Sequence, residues 1–225
     1  MTWFINTLMS SIGKKVLMAL TGIFLMLFLV VHLIGNLQLF RNDGGEAYNI
    51  YSYFMTHQPV IKLVSYLLYA SILLHIIISG YITLQNRKAR PVGYAVNGAG
   101  ATSTWSSRNM GILGSLIFIF LVIHLQNFWY KMHWEMEPTV KYNGNEYKDL
   151  YTEVIFAFQN PWIAGLYVIS MIGLAYHLIH GFNSTFQTLG IQHRKYSPAL
   201  KFIGILFAIL VPLLFAVMPV YFYFR

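Results

Sequence analysis

ALTGIFLMLFLVVHLIGNLQLF, residues 19–40, decides the architecture of this chain. The run carries no charge between Lys15 and Arg41 and is long enough to cross a bilayer core as one helix. It holds a single ionisable side chain, His32. An ionisable group placed among lipid-facing residues is costly, so it marks function.

Working outward, four more apolar runs follow. The five expected spans are residues 16–40, 60–85, 110–130, 161–182 and 202–224. The composition agrees: 57% of the 225 residues are hydrophobic and 10% charged, against about 25% charged in soluble domains. The spans leave no room for a separate soluble domain, so residues 1–225 read as one membrane domain of all-α class. The chain has no cysteine, which excludes c-type haem attachment, thiolate-held clusters and disulfides. Lys14 and Lys15 precede a first span too long for a signal-peptide core, and it is expected to stay as an anchor. Residues 1–13 are expected to form a short amphipathic helix on the membrane surface.

The charges sort by side. Lys14, Lys15, Arg87, Lys88, Arg90, Arg108, Arg194, Lys195 and Lys201 fall at one end of the alternating spans, with no acid among them. Asp43, Glu46, Glu135, Glu137, Glu146, Asp149 and Glu153 all fall at the other end, with six basic residues. The positive-inside rule then puts the N-terminus in the cytoplasm and the C-terminus outside. The net charge of +8 divides into +9 inside and −1 outside. That asymmetry is a topology and lipid-contact signal, and nothing in the chain supports nucleic-acid binding.

Each of the first four spans contains one deep histidine: His32, His75, His124 and His177. Short connections suit an up-down four-helix bundle, in which spans one and three are diagonal and parallel, as are two and four. His32 lies 17 residues beyond Lys15, and His124 lies 16 beyond Arg108. Both are therefore about 25 Å from the inner charges. His75 is 12 residues from Arg87, or about 18 Å, and His177 matches it if span four ends near Gln187. The expected pairs are His32 with His124 (outer) and His75 with His177 (inner), the layout needed to hold two haems across a bilayer. His180, one turn from His177, could equally face an iron. Two imidazoles per iron leave no open coordination position and suit electron transfer. A lone membrane histidine is more often a packing residue hydrogen-bonded across helices; four matched in depth are not easily explained that way. Gly22, Gly35, Gly80, Gly111, Gly114, Gly165, Gly173 and Gly181 would let a macrocycle approach, or simply let helices pack. Span five, with Pro212 and Pro219 and no ionisable group, reads as a peripheral helix kinked at Pro212. His57, His133 and His193 fall in or near loops.

At these residues the chain resembles a known family. ALTGIFLMLFLVVHLIGNLQLF, LLYASILLHIIISGYI, FIFLVIHLQNFW and LAYHLIHGFNSTFQTLGI look like the haem-ligand helices of the dihaem cytochrome b anchor of bacterial succinate dehydrogenase and fumarate reductase. GGEAYN after span one is similar as well. The resemblance implies two haem b groups ligated by His32, His75, His124 and His177, with His180 not a ligand. It implies a flavoprotein and an iron–sulfur subunit docked on the cytoplasmic face of the bacterial inner membrane. The dicarboxylate chemistry would belong to the flavoprotein, so this chain has no catalytic residue of its own. It also implies a quinone near the outer haem, of the menaquinone type. Asn36, Gln38, Arg41 and Glu46 are candidates for contact with the quinone or a haem propionate, against a plain reading as helix-end and loop residues. Lys14, Lys15 and Arg87 are candidates for the inner propionates or the iron–sulfur partner.

One position departs from the pattern. Some members carry a glutamate in span four, two residues before the ligand, tied to transmembrane proton movement; here it is Ala175. Direct proton exchange between an outer quinone site and the outer medium is expected instead. Two other readings remain at this stage. One is a dihaem anchor for a hydrogenase, formate dehydrogenase or nitrate reductase. The other is a haem-free transporter, against which stand the lack of an internal repeat and of any acid within the spans.

Overall fold

The computed structural model describes residues 2–89, 92, 98–134 and 138–225. Arg90, Glu135 and Glu137 of the charge map, and Met1, lie outside the described residues. In chain order the elements are α1 (Thr2–Met9), α2 (Ser11–Asn36) with a 3-10 turn Leu37–Phe40, α3 (Glu46–His57) and α4 (Pro59–Lys88). Two short helices follow, α5 (Ala99–Thr102) and α6 (Trp105–Arg108), and then α7 (Met110–His124). A π-helical turn Leu125–Tyr130 leads into α8 (Lys131–Trp134), and β1 (Thr139–Tyr142) and β2 (Asn145–Lys148) form a hairpin. The chain ends with α9 (Leu150–Gln159), α10 (Pro161–Thr188) and α11 (Ser197–Tyr223).

Five of these helical runs are long and apolar enough to cross a membrane: Ser11–Phe40, Pro59–Lys88, Met110–Trp134, Pro161–Thr188 and Ser197–Tyr223. The chain is an all-α, multi-pass membrane protein. Leu20, Leu27, Leu63, Ile77, Ile119 and Ile169 are among many large apolar side chains left on its surface. Such a band would be untenable in water and is the ordinary outer face of a helix in lipid.

The helices begin where capping chemistry allows. Ser10 accepts a bond from the Gly13 N–H at 3.0 Å, which starts span one. Asn160 accepts from the Trp162 and Ile163 N–H groups at 2.9 and 3.4 Å, and Pro161 follows it at the first helical position. Span four ends at Gly190, whose φ of 70° is left-handed; the Ile191 N–H returns to the Phe186 carbonyl at 3.0 Å. The spans overrun the apolar stretches. Span four continues to Thr188 rather than 182 because its polar tail satisfies itself, Asn183 donating to the Ile179 carbonyl at 2.9 Å.

The N-terminal segment is helical only over Thr2–Met9, so Gly13 belongs to span one and not to the surface helix. Trp3, Phe4, Ile5 and Met9 are exposed, as an interfacial helix requires. Gly13 is needed at the turn, since a Cβ there would sit 2.1 Å from the Thr7 carbonyl oxygen.

Spans one and three each pack between spans two and four. Span five lies mainly along span four and also touches span one and α9. It is less peripheral than its sequence suggests. Val211, Met218 and Phe222 join Leu33, Leu39, Val154, Phe158 and Tyr167 in the main buried cluster. Its helix runs through both prolines, which are buried where neighbouring helices shield the freed carbonyls.

That cluster sits at one end, under a cap of α3, the hairpin and α9. Asn49, 1% exposed, holds the cap together. Its amide donates to the Tyr142 hydroxyl at 3.2 Å and to Asp149 Oδ1 at 3.1 Å. Its carbonyl accepts from the Tyr151 N–H at 3.0 Å. Asp149 in turn caps α9 by accepting from Thr152. No part of this cap was expected from hydropathy.

Candidate functional site

The four deep histidines meet in two diagonal pairs. The rings of His32 and His124 have centres 5.8 Å apart at an interplanar angle of 87°. The rings of His75 and His177 have centres 6.3 Å apart at 57°. The first pair lies toward the hairpin end and the second toward the Lys14 end, as the depth count expects.

The two pairs have different surroundings. The hairpin-end pair is wrapped in aromatic rings. Phe28 stacks on His32 at 5.1 Å, Phe120 on His124 at 5.5 Å, and Phe215 of span five reaches His32 at 5.6 Å. Phe28 and Phe120 each precede their histidine by one turn, the spacing that puts both rings on one helix face. The Asn36 amide nitrogen lies 2.8 Å from the His32 carbonyl oxygen and 3.4 Å from His32 Nδ1. Buried Tyr167 puts its hydroxyl 3.4 Å from His124 Nδ1.

At the other pair the partners are small and polar. His75 Nδ1 is 3.0 Å from Thr21 Oγ1. A Cβ added to Gly22 would lie 3.8 Å from His75 Cε1 and 3.6 Å from the hydroxyl of buried Thr185. His177 Nδ1 is buried and makes no hydrogen bond. His180 is half-buried one turn further on; no ring contact or hydrogen bond of its own ties it to His75.

The donor chemistry restricts what these pairs could hold. No group of three or more metal-ligating side chains occurs among the described residues. A metal bound by protein alone needs at least three. Two imidazoles on opposite sides of one ion, with each nitrogen about 2 Å from it, put their ring centres roughly 6 Å apart. The observed 5.8 and 6.3 Å match that figure. A bis-imidazole pair therefore fits a metal whose other positions come from a macrocycle.

The glycines divide. Gly35 and Gly173 are packing residues, because a Cβ would meet Tyr51 at 2.4 Å and Leu116 at 2.8 Å. Gly80, Gly114, Gly165 and Gly181 face open space, and Gly111 makes only ordinary contact with Thr83.

Of the other candidate residues, Asn36 alone touches a deep histidine. Arg41 pairs with Asp43 at 3.2 Å, and Glu46 accepts from Asn143 at 3.4 Å in the hairpin turn. Gln38 is half-buried beside them in the 3-10 turn. They line one end of the molecule without converging on a single pocket. An open cleft of about 480 Å³ lies at the same end, lined by Gln126, Asn127, Tyr130 and Lys131. The amide nitrogen of Asn127 is buried there without a hydrogen bond. Three of the four lining residues, Gln126, Asn127 and Tyr130, belong to the π-helical turn directly after His124. Sequence reasoning missed it; LQNFWY carries no signal for a π turn. At the opposite end Lys14 bonds the Gln85 side chain at 3.2 Å and sits 4.7 Å over the Tyr81 ring. His57, His133 and His193 are exposed near helix ends, as expected.

Comparison with protein-family models, curated proteins and solved structures finds no match to this chain.

Proposed function

We propose that this chain is the dihaem cytochrome b membrane anchor of a succinate:quinone oxidoreductase. In this reading it passes electrons between a cytoplasmic iron–sulfur subunit, itself served by a flavoprotein, and a membrane quinone. The single observation that carries it is the pair of diagonal histidine couples, His32 with His124 and His75 with His177, whose ring centres lie 5.8 and 6.3 Å apart and which would hold the two groups. Bound there, two haem b groups would supply one-electron, outer-sphere transfer with no open position for a further ligand.

The chain's own residues have three tasks in this reading. His32 and His124 ligate at the hairpin end, and His75 and His177 at the Lys14 end. Phe28, Phe120, Phe128 and Phe215 keep water from the hairpin-end couple, which lowers the local dielectric and reduces reorganisation on electron transfer. The cleft at Gln126, Asn127, Tyr130 and Lys131, within two turns of His124, is the candidate position for a quinone. Asn36, Gln38, Arg41 and Glu46 stand at the same end. With Ala175 where an acid would otherwise relay protons, a quinone at this end exchanges protons with the adjoining aqueous phase. The positive-inside rule makes that phase the outer one and leaves the cytoplasmic face to the soluble subunits.

The test is a haem count per chain by pyridine haemochromogen spectrum on purified protein, with identification of the co-purifying subunits. Two b-type haems with a flavoprotein and an iron–sulfur protein support the reading. Two haems with a molybdenum or nickel subunit would assign the anchor to another respiratory enzyme. A folded, colourless chain would overturn the haem reading and restore the transporter.

A further inference from the structure

Span one meets both histidine couples on one face. His32 belongs to the hairpin-end couple, and Thr21, 11 residues earlier, lies against the other. Eleven residues are just over three full turns, so both side chains point nearly the same way, about 16.5 Å apart along the axis. Span four repeats the device in the opposite sense. His177 belongs to the Lys14-end couple, and Tyr167, 10 residues earlier, lies against the hairpin-end couple. The recipients are His75 of span two and His124 of span three.

The surroundings of Thr21 favour one direction for this contact. Thr21 Oγ1 lies 2.8 Å from the Leu17 carbonyl and 3.2 Å from the Met18 carbonyl. A carbonyl can only accept, so either one can take the hydroxyl proton. Thr21 Oγ1 is then left as an acceptor for His75 Nδ1 at 3.0 Å. In that arrangement the proton is on Nδ1, and the Nε2 lone pair is free. The His75 ring packs beside Gly22, the next residue, where an added Cβ would make ordinary contact at 3.8 Å.

We propose that Thr21, and more weakly Tyr167, are positioning residues. Thr21 accepts from Nδ1–H of His75 on the neighbouring helix and so aims the His75 Nε2 lone pair into the couple, while Tyr167 sets the His124 ring through the contact of its hydroxyl with Nδ1. The inference rests on the dihaem reading. An acceptor on Nδ1–H makes imidazole a stronger electron donor, which favours the oxidised metal. Losing that acceptor raises the midpoint potential of the metal concerned. The effect is larger for Thr21, at 3.0 Å, than for Tyr167, at 3.4 Å.

The test is potentiometric titration of the visible haem bands, with low-temperature EPR of the oxidised form, on wild type, Thr21→Val, Thr21→Ser and Tyr167→Phe. Thr21→Val is expected to raise one of two midpoints and move that haem's low-field EPR signal. Thr21→Ser restores both, and Tyr167→Phe shifts the other midpoint by less. Two haems with midpoints unmoved in Thr21→Val would overturn the positioning role and leave the dihaem reading intact. A Thr21→Ser protein as shifted as Thr21→Val would do the same, because packing and not the hydroxyl would then be responsible. A haem-free wild type would fail the underlying reading instead.

Discussion

His75 and His177 come from helices that run the same way and are separated by more than 100 residues, yet their ring centres lie 6.3 Å apart. His32 and His124, also on helices that run the same way and 92 residues apart, have ring centres at 5.8 Å. The coupling makes a pairwise prediction. On the dihaem reading proposed above, His32→Ala and His124→Ala should each remove one and the same haem, and His75→Ala and His177→Ala the other. Their spectra, resolved by redox titration, should fall into two classes of two. His180→Ala should retain both haems. Four different phenotypes would break the pairing.

Asn49 should be the most sensitive polar position of the cap. It makes three hydrogen bonds from a site 1% exposed, to Tyr142, Asp149 and Tyr151. Asn49→Leu would leave those partners unsatisfied, at about 1–3 kcal/mol for each group that water cannot reach. We expect a drop of several degrees in the thermal midpoint in detergent and faster proteolysis between residues 139 and 160. Thr56→Ala, on the same helix but bonded only within its own exposed turn, to the Ser52 and Tyr53 carbonyls and the adjacent His57 ring, should be nearly neutral. Equal effects would mean that the network is incidental.

How much of this could be read in the sequence differs by element. The spans and the histidine couples were legible because hydropathy and depth along a helix are one-dimensional properties, and His32, His75, His124 and His177 carry them without tertiary knowledge. The cap was not, because Asn49, Tyr142 and Asp149 are brought together from about 100 residues apart and have no periodic signature. Span five was underestimated for a related reason. Phe215 and Phe222 look like lipid-facing residues until the groove beside spans one and four is known. The glycines looked alike in sequence; only the neighbours separate Gly35, closed by Tyr51, from Gly80, which is open.

Two adjacent glycines should respond unequally. Gly44 and Gly45 both have left-handed φ, 67° and 91°. Nothing lies within 4 Å of a Cβ at Gly44, whereas at Gly45 the Tyr151 ring would be 2.3 Å away. Gly44→Ala should cost only the left-handed strain, about 1–2 kcal/mol. Gly45→Ala adds a clash with a ring packed in the core cluster, so it should cost at least about 2 kcal/mol more. Chemical denaturation of the two variants side by side is the measurement, and equal losses would count against the Tyr151 contact.

Tyr48 predicts an alkaline limit to the cap. It packs against the buried cluster, and burial pushes its phenol from 10.0 up to about 12, a shift slightly offset by Ser52. Between the two values the unfolded chain releases the proton and the folded chain keeps it, so rising pH favours unfolding across that window. The contribution is therefore fully present below pH 10 and disappears as the pH rises toward 12. A shift of this size corresponds to about 3 kcal/mol over that window. The wild-type cap should lose stability steeply above pH 10, and Tyr48→Phe should flatten the decline. Absorbance near 295 nm gives the direct readout: Tyr48→Phe should delete one tyrosine from the late-ionising group and none from the early one. An unchanged late phase would place the Tyr48 hydroxyl in contact with water.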